Sequence, residues 1–500
     1  MRYLSDDDLT RTRPAETISC RSPIPTQVVS NGEFTPLPQT ADQRSVERRV
    51  LRLAEEFGPR HGLTRRQFLA SNAGMAAAFL AMNEVFGPLF EVSRVEAATP
   101  GVADERAGAL AGQFVIDCQT HFVREDYGQK ALLGLAQFAK QHWNPVLENE
   151  GDLTRFMFAN YVKEIFVDSD TKVALLSGAP VDDPFNRFLT NDQIIAARTA
   201  VNRIAGSRRM LAHSIIQPMM PGFLDEVDRA IETLRPESWK GYTIGDPIFL
   251  TKKGSNWRLD DEKLVYPFYE KAVKAGLRTV CIHKGLLPAN YEQSWPGIWQ
   301  HATVWDLGKA ARDWPQITFV IYHSALRPFI ELPDRSLAQF EATGRIDWVT
   351  DLAEIPAKFG VENVYAELGT CFANTAVTQP RRAAAMLGTL IKGMGVGKVL
   401  WGTDSVWYGS PQWQIEALRR LEIPEDMQKK HGFASLGPAD GAVKSAILAG
   451  NASRLYGLDP AAVQGEIRND HIADMRREFL AQGFARSNLR YGYVAKARAR

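Results

Sequence analysis

Three polar side chains lie at the end of an apolar run at residues 114–122. Asp117, Gln119 and His121 follow one another at a spacing of two residues. Successive side chains of a β-strand point to opposite faces, so this spacing places all three on one face of a strand. Carboxylate, amide and imidazole groups that leave a buried strand together can bind a metal ion or a substrate. The same ending is also expected where a strand simply runs out into solvent.

Three later apolar runs end on the same kinds of side chain. Arg278–His283 and Ile317–His323 each finish on a histidine, and Lys398–Asp404 finishes on an aspartate. A single buried histidine at a strand end is more often a packed core or rim residue than a ligand. Two histidines and an aspartate that are all placed like His121 favour one shared site instead.

The elements that would position these side chains alternate between strand-like and helix-like segments. Eight apolar runs occur, at 114–122, 172–178, 210–218, 240–246, 278–284, 317–323, 362–368 and 398–404. Helical periodicity separates several of them, as in 260–275, which is followed by Gly276. Such alternation predicts a parallel sheet with right-handed crossovers. Because closure brings the ends of the first and eighth strands together, the sequence predicts an α/β fold of the TIM-type (β/α)8 barrel class with long βα loops.

The amino-acid composition indicates which kind of molecule the protein binds. The chain has 500 residues, 45% of them hydrophobic, which is typical of a globular protein. Its 59 lysines and arginines balance 58 aspartates and glutamates, so it lacks the basic surplus of a nucleic-acid-binding protein. We therefore expect a small-molecule substrate and no nucleic acid, and leave open whether the chain forms a homo-oligomer.

These residues together resemble the amidohydrolase superfamily. The family pattern is Asp-x-His-x-His on the first strand, His on the fifth, His on the sixth and Asp on the eighth, and here Asn-Ala-Ser-Arg-Leu-Tyr-Gly follows at 451–457. Ile282-His-Lys-Gly285 and Leu400-Trp-Gly-Thr-Asp404 are similar to the branch that includes aminocarboxymuconate-semialdehyde decarboxylase, resorcylate decarboxylases and pyrone dicarboxylate lactonase. The likeness runs from about Phe114 to Leu458.

This resemblance implies roles for six residues. His121, His283 and Asp404 would bind one divalent ion, and Asp404 would also accept a proton. His323 would contact the substrate as an electrophile or proton carrier and donate a hydrogen bond to it. Asp117 and Glu367 would lie behind these groups, where Glu367 either orients a histidine or is a plain rim carboxylate.

The chain departs from the family at Gln119, which stands where the first histidine of the pair is expected. An amide oxygen is a harder and weaker ligand than an imidazole, so Gln119 is a doubtful ligand. Lys240 begins its predicted strand and would point to the wrong end to hold a second ion. We therefore expect one divalent ion, which is zinc by resemblance, or manganese or magnesium because of the amide.

Three functions fit this pattern. The first is a metal-dependent hydrolase of the amidohydrolase type that acts on a small organic substrate, such as a cyclic or aromatic carboxylate. The second is a nonoxidative decarboxylase, because hydrolysis and decarboxylation use the same ligands in this branch. The third is an exported binding protein without catalysis, since Gln119 weakens the metal site.

The first hundred residues predict a leader that precedes the barrel. Residues 1–60 are rich in Asp, Arg, Pro and Thr without a sustained apolar period, which predicts disorder. Arg65 and Arg66, the apolar stretch 70–90 and Val95-Glu-Ala97 occur in the order of a twin-arginine export signal. The alternative is a basic start to an ordinary amphipathic helix.

These predictions divide the chain into four parts. A disordered leader at 1–60 and a signal at 61–97 would precede the barrel at 98–460 and a basic extension at 461–500. The signal would be removed after Ala97. The twin-arginine export machinery is then a transient partner, and we expect the mature protein in the periplasm or outside the cell.

Overall fold

The computed structural model describes residues 9–123, 158–181, 187–246, 255–287, 291–327, 333–483 and 486–496. Eight parallel strands within these ranges form one sheet in which each strand pairs with the next along the chain. They are β1 (Ile116–Thr120), β2 (Val173–Leu176), β3 (Met210–Ile215), β4 (Ser238–Tyr242), β5 (Thr279–His283), β6 (Thr318–Tyr322), β7 (Val364–Glu367) and β8 (Val399–Leu400). A parallel bridge between Thr120 and Ser405 joins the two ends of the sheet and closes the barrel.

The barrel strands are buried on both faces, even where they carry polar side chains such as Gln119 and Lys240. Helices cover the outside of a parallel barrel and side chains fill its inside, so its strands are buried on both sides. Every residue of β1, β3 and β5 is buried accordingly. The predicted TIM-type (β/α)8 barrel is confirmed.

Helices alternate with these strands and also precede and follow the barrel. They span Ala41–Phe57, Arg65–Leu69, Asn72–Phe86, Arg94–Ala98, Val102–Leu110, Phe158–Val162, Asn191–Ala205, Phe223–Arg229, Tyr266–Lys274, Tyr291–Ser294, Leu307–Asp313, Pro333–Thr343, Val349–Phe359, Cys371–Thr378, Pro380–Met394, Gln412–Arg420, Glu425–His431, Ala442–Ser445, Asn451–Leu455, Pro460–Ile467 and His471–Ala481. Within the ranges described above, none of these helices combines the length and the apolar character needed to cross a bilayer.

Residues 9–60 are folded in the structure, whereas the sequence predicted a disordered leader at 1–60. Residues 41–57 form a helix that begins with a capping box. Val46, Val50 and Leu53 recur along it at helical spacing and are buried in the main core. Composition did not reveal this helix because its apolar face is narrow and lies among many charged residues, which dominate the local composition.

The segment predicted as an export signal lies inside the folded protein. Helix Asn72–Phe86 is mostly buried and belongs to the same apolar core as the barrel. Ala97, after which cleavage was expected, is fully buried, and the neighbouring Glu96 pairs with Arg420 at 2.6 Å. The apolar residues of this segment therefore contribute to packing in this fold.

The two ends of the chain pair with each other. Strand Thr12–Pro14 runs antiparallel to strand Tyr493–Ala495, and Ser30 forms a further bridge with Tyr493. The predicted basic extension at 461–500 thus includes two helices and a strand that fold back on the rest of the chain. This pairing holds the residues that follow Ser30 at the carboxyl ends of the barrel strands.

Candidate metal centre

His121 and Asp404 meet at the carboxyl end of the barrel. His121 directly follows β1, and Asp404 lies in the loop after β8. The distance from His121 Nε2 to Asp404 Oδ1 is 3.1 Å, and His121 Nδ1–H donates to the backbone oxygen of Ser177 at 2.8 Å. The second bond sets the tautomer, so that Nε2 presents a lone pair to the centre. Burial opposes ionisation of Asp404, but its close contact with His121 and the hydrogen bond that it accepts from the Thr370 hydroxyl keep its pKa below the usual range.

His283 and His323 approach the same centre from β5 and from the residue after β6. His323 Nε2 lies 3.1 Å from His283 Nδ1, and His323 Nδ1–H donates to the backbone oxygen of Gly369 at 2.9 Å. Burial lowers the pKa of His323 to about 4, so its ring is neutral at pH 7. In this tautomer His323 Nε2 is an acceptor, whereas the sequence predicted a donor to the substrate.

The side-chain amide of Gln119 lies in the middle of this group. Its Nε2 atom is 3.0 Å from Asp404 Oδ1 and 3.5 Å from the Nε2 atoms of both His121 and His323. Its Oε1 atom is buried and has no hydrogen-bond partner among the residues that the structure describes. Gln119 therefore faces the centre, where its amide N–H groups meet three acceptors.

The two carboxylates expected behind the centre hold backbone groups rather than imidazoles. Asp117 accepts hydrogen bonds from the side chain and the backbone N–H of Thr403, which ties β1 to the loop after β8. Glu367 accepts from the backbone N–H of His323 at 3.2 Å and of Gly369 at 2.6 Å. Glu367 thus positions His323 through its main chain, and burial raises the pKa of Glu367 to about 8.

Lys240 lies within the barrel, close to these carboxylates. It is the third residue of β4 rather than the first, because this strand begins at Ser238. Its Nζ atom lies 3.4 Å from the centre of the Tyr322 ring, and burial lowers its pKa to about 8. Its positive charge acts on Glu367 and Asp404 from inside the barrel.

Asn31 and Glu33 of the N-terminal segment also reach the centre and were not predicted from the sequence. Glu33 Oε1 lies 3.8 Å from His283 Nδ1, and Asn31 Nδ2 donates to Asp404 Oδ2 at 3.2 Å. Burial and the charge of Asp404 raise the pKa of Glu33 to about 8. No periodic pattern surrounds these two residues, so no local signal marks them.

Three residues of the centre have left-handed backbone conformations, which side chains other than glycine rarely adopt. His323, Thr370 and Asp404 have φ values of 60°, 57° and 59°. Each such conformation costs about 1–3 kcal/mol and persists where the surrounding structure imposes it. Thr370 was not predicted either, and its hydroxyl donates to Asp404 Oδ2 at 2.5 Å. Local backbone strain is thus concentrated where the polar side chains converge.

The groups at the centre fit a divalent ion. The ligand-type atoms of Glu33, His283 and His323 lie within 4.8 Å of one another, and His121 and Asp404 adjoin them. All five side chains are buried. Buried carboxylates are costly without a compensating cation, and the partnerless amide oxygen beside them is a further unused ligand. A set of imidazole, carboxylate and amide groups suits zinc or manganese.

Several solved structures are similar to about two thirds of this chain at low sequence identity. The 5-carboxyvanillate decarboxylase of Sphingomonas paucimobilis is 15% identical, over 69% of this chain and 100% of its own, with a TM-score of 0.42. The 2,6-dihydroxybenzoate decarboxylase of Rhizobium is 13% identical, over 69% and 99%, with a TM-score of 0.42. A probable 2-pyrone-4,6-dicarboxylic acid hydrolase of Acinetobacter baumannii is 11% identical, over 69% and 99%, with a TM-score of 0.34. No curated protein matches the chain in sequence.

A model of the amidohydrolase family matches residues 116–458. The matched range begins with β1 and contains all eight barrel strands together with His121, His283, His323 and Asp404. The N-terminal segment that carries Glu33 lies outside it. Because the match extends over more than half of the 500 residues, the chain belongs to the amidohydrolase family.

Proposed function

We propose that the protein is a metal-dependent hydrolase of the amidohydrolase type that acts on a small organic substrate. One observation carries this proposal: the accepting atoms of His121, His323 and Asp404 converge in one buried space. Each of these atoms lies 3.0–3.5 Å from Gln119 Nε2. Membership of the amidohydrolase family supports the same class of reaction. A cyclic or aromatic carboxylate is the substrate class that we expect.

The residues of the centre can supply the steps of such a reaction. When bound, a divalent ion supplies Lewis acidity toward a substrate oxygen. Asp404, whose pKa lies below the usual range, accepts a proton at its carboxylate. His323 directs the lone pair of Nε2 into the centre, since its Nδ1–H is already donated to Gly369. Burial of these side chains excludes bulk water and strengthens their electrostatic contacts.

Nonoxidative decarboxylation is the second candidate, and the burial of the centre favours it. His283 and His323 are fully buried, and His121 is 1% exposed. A substrate carboxylate loses its hydration in such a site, and departure of neutral CO2 removes the group whose desolvation is costly. The carbon that remains needs a proton and no water molecule, so an enclosed centre suits this reaction.

A product assay on the full chain tests both candidates. The protein is loaded with zinc or manganese and offered esters, lactones, amides and aromatic carboxylic acids, while acid release and CO2 release are measured side by side. Acid release supports the hydrolase, and CO2 release supports the decarboxylase. A chain that binds no divalent ion and converts no substrate would instead support the exported binding protein.

We also propose export by the twin-arginine route to the periplasm or beyond. Arg65 and Arg66 are exposed at the start of their helix, so the export receptor can reach the pair even in the folded chain. Replacing both by lysine should leave the protein in the cytoplasm, as measured by cell fractionation. Arg52→Lys, at an exposed arginine outside the pair, is the control. Undiminished delivery of the double variant would refute this route.

A further inference from the structure

A carboxylate from the N-terminal segment lies among the histidines of the centre. Glu33 is 1% exposed, and its Oε1 atom is 3.8 Å from His283 Nδ1. The ligand-type atoms of Glu33, His283 and His323 fall within 4.8 Å of one another. Three potential ligands therefore surround one small volume, although one of them is far from the barrel in sequence.

Glu33 is held in this position by a network of hydrogen bonds. Asn31 Oδ1 accepts from the Glu33 backbone N–H at 3.0 Å, and Asn31 Nδ2 donates to Glu33 Oε2 at 2.8 Å. The Ser30 hydroxyl donates to the Phe34 backbone oxygen at 2.5 Å, which closes the turn around Glu33. Ser30 in turn pairs with Tyr493 of the last strand. The carboxylate is thus preorganised, as a metal ligand has to be.

The same network brings Glu33 close to a second carboxylate. Asn31 Nδ2 also donates to Asp404 Oδ2 at 3.2 Å, so one amide bridges Glu33 and Asp404. Two buried carboxylates that face one another repel unless a cation or a proton lies between them. A divalent ion removes this repulsion and is often the largest local charge in such a site.

We propose that Glu33 is a ligand of the divalent ion and replaces the imidazole that the first strand lacks at Gln119. This inference rests on the proposed function, which requires the ion. Glu33 binds together with His283 and His323 and supplies the anionic oxygen that a neutral amide does not. Such a mixed set of imidazole and carboxylate ligands suits zinc or manganese.

The role of Glu33 requires that the N-terminal segment stay on the working protein. Cleavage after Ala97 would remove Glu33 and Asn31 from the centre. It would also take helix Asn72–Phe86 out of the core and break the ion pair between Glu96 and the barrel. The mature protein therefore retains this segment, whatever part the arginine pair has in export.

A metal titration of the full chain tests Glu33 without relying on turnover. Apo wild type and Glu33→Gln are titrated with zinc in competition with a chelating indicator. Loss of a residue that merely supports a ligand costs roughly 10- to 100-fold in affinity, and we expect at least this loss for Glu33→Gln. Glu55→Gln, at an exposed carboxylate of the same segment, is the matched control and should bind zinc like wild type.

The outcomes separate this inference from the proposed function. Equal affinity in Glu33→Gln and wild type, with weaker binding in Asp404→Asn, would overturn the role of Glu33 alone. A wild-type chain that binds neither zinc nor manganese would overturn both. If Glu33→Gln does not fold, Glu33→Asp is titrated instead. Its shorter side chain should weaken zinc binding. An unchanged affinity would overturn the role of Glu33.

Intact-mass measurement of protein purified from the cells that naturally produce it tests retention of the segment. We expect a mature chain that still contains Asn31 and Glu33. A mature chain that starts after Ala97 and binds zinc as tightly as the full-length protein would overturn the inference.

Discussion

The centre draws its side chains from two regions that are held in different ways. His121 and His283 stand at strand ends, where bonds between neighbouring strands set the backbone. Glu33 stands in a loop that depends on the side chains of Asn31 and Ser30 and on the pairing of the chain ends. The barrel therefore supplies a rigid framework, whereas the N-terminal loop can alter the surroundings of the ion without changing that framework.

Removal of residues 1–97 should have the largest effect on the protein. Helix Asn72–Phe86 is buried in the same core as the barrel, and Phe90 pairs with Leu421. Each large apolar side chain contributes roughly 1.5–3 kcal/mol when buried, and a whole domain is stable by only about 5–15 kcal/mol. We expect the truncated chain to lose its cooperative thermal unfolding, measured by circular dichroism. Cooperative melting at the temperature of the full chain would mean that the barrel folds alone.

Asp404→Asn changes the barrel region and tests the proposed proton acceptor. The amide has nearly the size of the carboxylate but is a much weaker proton acceptor, so turnover should fall by roughly 10²- to 10⁴-fold. The measurement is kcat/KM on the substrate that the product assay identifies, with Glu55→Gln as the control. Activity within about tenfold of wild type would exclude Asp404 as the proton acceptor.

His323→Asn distinguishes a ligand from a residue that contacts only the substrate. His323 Nε2 lies 3.1 Å from His283 Nδ1, so we expect the variant to bind zinc roughly 10- to 100-fold more weakly. The sequence alone predicted that the same variant would keep its ion and lose only turnover. Elemental analysis decides between the two, with the exposed His471→Asn as the control. Full metal content in His323→Asn would return His323 to substrate contact.

Gln119→His should have the smallest effect. It tests directly whether the N-terminal loop compensates for the imidazole that β1 lacks. An imidazole is a better zinc ligand than an amide, so binding should tighten by about tenfold. If Glu33 replaces the missing imidazole, this gain should be larger in the Glu33→Gln background than in wild type, which a double-mutant cycle measures. Equal gains in both backgrounds would mean that the two positions act independently.

The barrel and its strand-end residues were predictable because their signal is local. An apolar run that ends on a histidine or aspartate is visible within ten residues. Four of the eight predicted strands end in this way. A parallel barrel gathers the carboxyl ends of its strands at one mouth, so His121, His283, His323 and Asp404 were expected to converge. In the structure, His121, His283 and His323 lie at the ends of β1, β5 and β6, and Asp404 lies in the loop after β8.

The N-terminal predictions relied on composition, which does not reveal what a segment packs against. Residues 1–60 have many charged side chains, yet a narrow apolar face at 41–57 is enough to dock a helix. The apolar stretch at 70–90 has the character of an export signal, but the same residues also fill a core. Ala97 is buried in this fold, and cleavage after it stays a prediction.

The sequence alone shows which side chains the barrel presents at its mouth, because residues two apart on a buried strand point to the same face. Which other groups join them depends on the tertiary structure. Asn31 meets Asp404 across 373 residues of sequence, and Glu33 follows it into the centre. Such contacts arise from closure of the whole chain around the paired termini, and no local pattern encodes them.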